Sequence, residues 1–297
     1  MKKNIFKGLG VALITPFTED GAVDYDSLEK LIDMHLVQGT DFLCILGTTA
    51  ETPCLNSTER QQIIEFIVKK VNGRLPLLLG CGGNNTEAIA AQLKNDDFKG
   101  IDGILSVCPY YNKPSQEGLY QHFKTLSEAT KLPLVLYNVP GRTGVNLEAS
   151  TTLRLANDCA NIVAIKEASG KISQIEEIIK NKPEGFDVLS GDDGITYELL
   201  LLGAAGVISV IANAYPRKFG TMVHNAIEQN VNSALQIHRE YTDLFKLLSV
   251  DGNPAGIKAL MSEMGLVKNR LRLPLVSARE ETIKKIRSTI TESTKEN

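Results

Sequence analysis

Lysine is an unusual way to end an apolar run, and Ile162-Val163-Ala164-Ile165-Lys166-Glu167 does so. Side chains alternate along a strand, so Ile162, Ala164 and Lys166 should share one face while Val163 and Ile165 take the other. If the shared face lines a barrel interior, Lys166 projects into a confined, poorly hydrated cavity. Desolvation there disfavours the ammonium and leaves a fraction of neutral amine able to attack a carbonyl. Lys166 is therefore a Schiff-base candidate. From this strand alone it reads equally as a lysine that reaches solvent or pairs with Glu167.

Two further segments carry polar groups that a core does not need. In Leu134-Val135-Leu136-Tyr137-Asn138-Val139-Pro140-Gly141-Arg142 the alternation puts Tyr137 on the face of Val135, where its hydroxyl could carry a proton. Arg142 follows in a Pro-Gly turn, and a planar guanidinium can grip a carboxylate with two hydrogen bonds. A structural tyrosine and an exposed arginine fit this stretch as well. In Leu46-Gly47-Thr48-Thr49-Ala50-Glu51-Thr52, Gly47 permits a tight turn that presents hydroxyls and backbone N–H groups to a small anion. A simple Ser/Thr turn is the competing reading. Pro109-Tyr110-Tyr111-Asn112-Lys113-Pro114 sets adjacent aromatic hydroxyls that could equally serve surface packing or a subunit contact. Gly80-Cys81-Gly82-Gly83-Asn84-Asn85 lacks the Lys-Ser/Thr of a phosphate loop and reads as a turn.

What positions these groups follows from the period of the chain. Short apolar runs at 10–14, 42–46, 75–79, 103–107, 134–137, 162–166, 186–189 and 207–210 alternate with amphipathic segments at 24–37, 57–71, 86–95, 116–130, 147–157, 172–180, 195–202 and 216–228. Continuous Val/Ile/Leu runs mark strands buried on both faces of a parallel sheet. Eight such units predict an α/β fold, a closed (β/α)8 TIM barrel over residues 1–228, rather than an open doubly wound sheet. Residues 229–297 read as a helical appendage, with helices at 232–248, 254–264 and 280–291 around an extended Arg272-Leu273-Pro274-Leu275 connector. No chemistry is visible in that appendage. Active sites of such barrels lie at the C-terminal ends of the strands, where the three segments above fall.

Composition narrows the function classes. The 297 residues are 43% hydrophobic and 23% charged, with 32 Lys+Arg against 35 Asp+Glu, which leaves no basic footprint for nucleic acid or an anionic membrane. Five cysteines with no CxxC pair read as reduced thiols of a cytoplasmic protein, and the four histidines are not spaced as a metal pair. The N-terminal Met1-Lys2-Lys3-Asn4-Ile5-Phe6-Lys7-Gly8 lacks an apolar export region. The uncharged stretch at 199–216 is long enough to raise a membrane span, but its central glycines, Asn213 and Pro216 make it a helix end, a turn and a strand.

Taken together, Gly47-Thr48-Thr49-Ala50-Glu51-Thr52, Pro109-Tyr110-Tyr111-Asn112-Lys113-Pro114, the Tyr137–Gly144 segment, Ile165-Lys166-Glu167-Ala168-Ser169-Gly170 and Ser190-Gly191-Asp192-Asp193 resemble the dihydrodipicolinate synthase family. Gly206-Val207-Ile208-Ser209 and Leu271-Arg272-Leu273-Pro274 extend the likeness over nearly the whole chain. The resemblance places the chain among the pyruvate-dependent class I aldolases, which also include N-acetylneuraminate lyase. It implies that Lys166 condenses with the ketone of pyruvate and that the enamine attacks L-aspartate 4-semialdehyde. The product would be 4-hydroxy-tetrahydrodipicolinate, on the route to diaminopimelate and lysine. It further implies a proton relay of Tyr137, Thr48 and Tyr111, the last reaching in from a neighbouring subunit of a homotetramer. Thr49 would hold the pyruvate carboxylate, Arg142 the semialdehyde carboxylate, and Gly191 with the Ile208 backbone would line the pocket. No metal or organic cofactor is implied, and neither nucleic acid nor membrane as partner.

The chain departs from the family pattern where lysine-inhibited members carry two histidines after the Gly-Thr-Thr segment. Ser57 and Arg60 stand there instead, and the Asn84-Asn85-Thr86-Glu87 spacing is one residue shorter, although Asn84 and Tyr110 match. Weak or absent inhibition by lysine is the expectation. Two competing readings remain: an aldolase with another acceptor, such as an N-acetylneuraminate or 2-keto-3-deoxy sugar-acid lyase, and a keto-acid-binding barrel without turnover.

Overall fold

The computed structural model describes residues 5–293, so residues 1–4 of the N-terminal stretch read above lie outside the described residues. Eight parallel strands close into a barrel in chain order. They are β1 (Gly8–Ala12), β2 (Phe42–Ile45), β3 (Leu77–Gly80), β4 (Gly103–Val107), β5 (Leu134–Asn138), β6 (Ile162–Glu167), β7 (Asp187–Ser190) and β8 (Gly206–Ser209). Closure runs from β8 back to β1, with Gly206 opposite Gly8 and Ser209 opposite Val11. This is the (β/α)8 barrel that the alternating apolar runs predict.

Helices α1 (Tyr25–Val37), α2 (Ser57–Val71), α3 (Thr86–Asn95) and α4 (Gln116–Ala129) cover the first four strands. A one-turn helix α5 (Pro140–Thr143) precedes α6 (Ala149–Asp158), then come α7 (Ile172–Asn181), α8 (Thr196–Leu201) and α9 (Pro216–Ile227). The chain ends in α10 (Val231–Ser249), α11 (Ala255–Glu263) and α12 (Glu280–Ser293). The apolar stripe of α1 shows how sequence period becomes packing: Leu28, Leu31, Ile32 and His35 are its buried residues, at helical spacing. At the start of α2, Asn56 accepts from the Glu59 N–H at 2.9 Å while Glu59 accepts from the Asn56 N–H at 3.0 Å. This capping box fixes where the chain leaves the Gly-Thr-Thr turn.

Two layers of apolar packing result. Leu134, Leu136, Ile162 and Ile165 join the layer between strands and helices. Phe6, Phe42, Leu78, Leu105, Val135, Ala164, Leu189 and Ile208 fill the barrel itself. Phe6 and Phe42 pack edge to face with ring centres 5.4 Å apart and close the N-terminal end. Truncating a buried phenylalanine of this kind to alanine costs about 3–5 kcal/mol.

Simple alternation misplaces two residues of β6. The β5 register steps from Leu134 opposite Ile162 to Val135 opposite Ala164, so Val163 is an extra residue, a bulge. Ile162 consequently faces the helices and Val163 the interior, the reverse of the sequence expectation. Beyond the bulge the alternation resumes, and Lys166 points inward as expected. Strand ends also shift. The first strand begins at Gly8 rather than residue 10 because Gly8 and Leu9 pair with β8. The third begins at Leu77 because Pro76 has no N–H to give and only accepts, from the Leu43 N–H at 3.0 Å.

Candidate active site

Tyr137 and Lys166 are register partners on β5 and β6, so two side chains of adjacent strands meet at one level of the barrel. Both are buried, at 7% and 6% exposure. The Lys166 Nζ lies 4.5 Å from the centre of the Tyr137 ring. The adjacent Glu167 does not pair with it. Its carboxylate turns outward and accepts from Asn138 Nδ2 at 3.0 Å, the Ser169 N–H at 3.0 Å and Gln174 Nε2 at 3.1 Å. Burial raises the Glu167 carboxyl above its ordinary range, with those donors opposing. The competing reading of Lys166, as half of a surface pair with its neighbour, is thereby removed.

Below the amine, Cys44 of β2 sits fully in the interior layer. Burial pushes its thiol up to about 11, against the opposing pull of the Lys166 ammonium. It therefore stays a neutral thiol at ordinary pH and supplies no counter-charge.

The turn after β2 comes from the far side of the barrel. Thr48–Ala50 form one turn of 3₁₀ helix, followed by a second at Thr52–Cys54. Gly47 is extended, with φ −81 and ψ −168, and a Cβ there would meet only Cys44 Sγ at 3.6 Å. The left-handed positions are instead Leu46, at φ 50, and Glu51, at φ 55. The glycine that the turn does require is Gly80 of β3, where a Cβ would lie 2.2 Å from the Leu46 carbonyl oxygen. Part of the Gly80–Asn85 segment is thus more than a turn: it admits the Leu46 backbone against β3.

Two recesses share Thr49, Tyr137 and Lys166. One, of about 280 Å³, adds Thr48, Cys44, Gly82, Arg60 and Tyr110. The other, of about 340 Å³, adds Arg142, Gly191, Asp193, Phe245 and Asn253. Gly191 is required by space: a Cβ there would lie 2.8 Å from the Ala168 Cβ and 3.1 Å from both Cγ and Cε of Lys166. Asp193 accepts from the Val210 N–H at 3.0 Å and the Ile211 N–H at 2.7 Å, which ties the end of β8 to the wall. Burial pushes its carboxyl up to about 6.

Of the residues singled out in the sequence, Thr48, Thr49, Tyr137, Lys166, Arg142 and Gly191 line these recesses. Ile208 lies deeper, in the interior layer. Tyr111 does not enter its own chain's cavity. Its backbone is left-handed at φ 74 and its side chain is 88% exposed. The loop is pinned from beneath by Asn84 Nδ2 donating to the Tyr110 carbonyl at 3.1 Å and Asn112 Nδ2 donating to the Asn84 carbonyl at 2.9 Å. Arg142, expected in a turn, belongs to α5.

Asn253 is the residue that sequence reading missed. Its Nδ2 donates to Thr49 Oγ1 at 2.9 Å, and its carbonyl accepts from Arg142 Nη2 at 3.0 Å. The C-terminal segment, expected to hold no chemistry, thus contributes to the cavity wall and joins the two groups read as carboxylate binders. The only signal in the sequence was an Asn-Pro pair ahead of a helix, which marks a turn and nothing more.

A sequence model of the Dihydrodipicolinate synthetase family matches residues 5–293. The chain is 60% identical over 286 residues to 4-hydroxy-tetrahydrodipicolinate synthase of Phocaeicola vulgatus, covering 96% of each chain. It is 58% identical over 284 residues to the protein of that name from Parabacteroides distasonis, again covering 96% of each. The crystal structure of dihydrodipicolinate synthase from Thermotoga maritima superposes with a TM-score of 0.95 at 41% identity, covering 98% of this chain and 99% of that one. A buried inward lysine beside a tyrosine on the next strand, in a closed eight-stranded barrel matched end to end by these relatives, leaves one assignment: the chain belongs to the dihydrodipicolinate synthetase family.

Proposed function

We propose that Lys166 forms an imine with pyruvate and that Tyr137, Thr48 and Tyr111 move its protons. The reaction is condensation of pyruvate with L-aspartate 4-semialdehyde to 4-hydroxy-tetrahydrodipicolinate, in lysine and diaminopimelate biosynthesis. The observation that carries the mechanism is the Lys166 amine buried beside Tyr137 with, among the described residues, no carboxylate paired to it. Attack of the amine on the ketone gives a carbinolamine, which expels water to leave the imine. The protonated imine draws electrons, a methyl proton leaves, and the enamine carbon adds to the aldehyde; the amino group of the adduct then attacks the imine carbon, closing the ring and expelling the Lys166 amine. The imine is the electron sink, so the scheme needs no metal or organic cofactor.

Thr49 holds the pyruvate carboxylate by its hydroxyl and N–H, and Tyr137 serves as general acid and base with Thr48 aligning its hydroxyl. Arg142, at the rim beside Asn253, receives the carboxylate of the semialdehyde through its guanidinium fork. Gly191 shapes the remaining wall, with Ile208 in the layer beneath it. The division that frames this site is a barrel domain up to residue 228 followed by a helical domain from 229.

Tyr111 points away from its own cavity, which supports its use in a neighbouring subunit's site and an assembly of at least two chains, read here as a homotetramer. Mixing Tyr111→Phe with Lys166→Ala subunits should then restore activity, since one mixed site carries both wild-type residues. No restoration on mixing would contradict it. Five free cysteines, four of them buried, support a cytoplasmic setting.

Turnover with pyruvate and aspartate semialdehyde, set against N-acetylmannosamine as acceptor, tests the substrate assignment. Strong preference for the semialdehyde is expected. Equal or better use of the sugar would move the chain to another aldolase, and no turnover with either would leave a binding barrel.

A further inference from the structure

A buried ion pair lies outside the cavity but two residues from Thr49. Glu51 closes the 3₁₀ turn, its N–H donating to the Thr48 carbonyl at 3.1 Å, and it does so in the left-handed region at φ 55 and ψ 34. A residue with a Cβ resists that conformation, so its surroundings must hold it. Its carboxylate accepts from Lys258 Nζ at 2.5 Å and from the Arg272 N–H at 2.9 Å. Lys258, fully buried on α11, also donates to the Arg270 carbonyl at 2.9 Å and stands 4.2 Å from the centre of the Phe17 ring. The Arg272 guanidinium spans Glu59, at 2.8 and 2.6 Å, and donates to the Cys54 carbonyl at 3.1 Å. Five residues before Lys258, Asn253 donates to Thr49.

One C-terminal segment therefore grips the turn at residue 49 and at residue 51. A buried pair is a poor device for stability alone, because desolvating two charges cancels much of their attraction. Burial lowers the Lys258 amine, with Glu51 pulling the other way. What such a pair supplies is one geometry, since each oxygen of the carboxylate has its own fixed donor. We propose that Lys258 is a positioning residue: through Glu51 it holds the Thr48-Thr49 turn in the shape that pyruvate and the Tyr137 hydroxyl require. This rests on the roles given to Thr48 and Thr49 above.

The decisive variant is the double Glu51→Gln, Lys258→Met, in which no charge is left stranded in the interior. Steady-state kinetics on the folded double variant should show the pyruvate KM raised about tenfold or more, with borohydride labelling of Lys166 retained at saturating pyruvate. Lys258→Met alone strands the carboxylate and should raise KM further. Lys258→Arg keeps the charge without the fit, and it gives the same readout should the double variant not fold. Leu126→Ala, which opens a cavity under α4 away from α11 and the turn, should lower Tm with KM unmoved, separating positioning from stability. A wild-type pyruvate KM in the folded double variant would overturn the proposal. Labelling at a residue other than Lys166 in the wild type would instead overturn the site reading beneath it.

Discussion

The amine of Lys166 and the ring of Tyr137 face each other 4.5 Å apart because β5 and β6 place them at paired positions on the inner wall. The ring is part of the packing and the hydroxyl part of the chemistry, so the two can be separated. Tyr137→Phe should fold with near wild-type Tm while kcat falls about 10²–10⁴-fold, the usual loss of a general acid-base group. Stopped or steady-state turnover checks this, and a kcat within a factor of three of wild type would remove Tyr137 from the relay.

Gly191→Ala should be severe although no charge or hydrogen bond is touched. The added methyl would meet the Ala168 Cβ at 2.8 Å, a clash that only a backbone shift relieves, and the Lys166 stem at 3.1 Å, which must give as well. Displacing the amine by about an ångström from its reacting position should reduce kcat/KM for pyruvate about 10²-fold. Unaltered kinetics would show that Lys166 works in a different rotamer from the one observed.

How much of this was legible beforehand depended on the kind of physics involved. The barrel could be read because burial on both faces forces continuous apolar runs, and because inward and outward positions alternate. Lys166 could be read because a lysine on the inner face at a strand end violates that pattern. Val163 could not, since nothing local marks a bulge whose cause is the register against β5. Asn253 and Lys258 were illegible for another reason. Each sits about 200 residues along the chain from its partner, Thr49 or Glu51, and such pairings exist only after closure. Gly47 misled in the opposite sense, because glycine signals conformational freedom that this turn takes at Leu46 and Glu51.

Lysine should be a weak inhibitor. Arg60 lines the recess beside Tyr110 and its Nε donates to the Leu55 carbonyl at 3.2 Å, so a lysine approaching Tyr110 there would meet a guanidinium already in place. Like charges at that range repel. Initial rates at millimolar lysine should stay near the uninhibited value, and half-inhibition below 1 mM, roughly −4 kcal/mol of binding, would contradict the assignment of Arg60.

Acid stability should carry the mark of His122. Its ring is 3% exposed with Nδ1 2.8 Å from Thr86 Oγ1, and burial lowers its pKa to about 4 from 6.5. The unfolded chain therefore binds a proton below pH 6.5 that the folded chain refuses until about pH 4. That contribution to stability is present above pH 6.5 and is lost as pH falls toward 4. Relative to His122→Asn, whose amide keeps a partner for Thr86, wild type should lose about 1.4 kcal/mol per pH unit across this window in urea unfolding. A difference between the two proteins that does not change with pH would place a protonated histidine in the folded state.

The most direct measurement is reduction with borohydride in the presence of pyruvate, followed by peptide mass mapping. An imine at Lys166 predicts one pyruvate-derived adduct on the peptide containing Lys166, absent without pyruvate and absent in Lys166→Ala. An adduct on another lysine, or no adduct at saturating pyruvate in a protein that still turns over, would contradict the central claim.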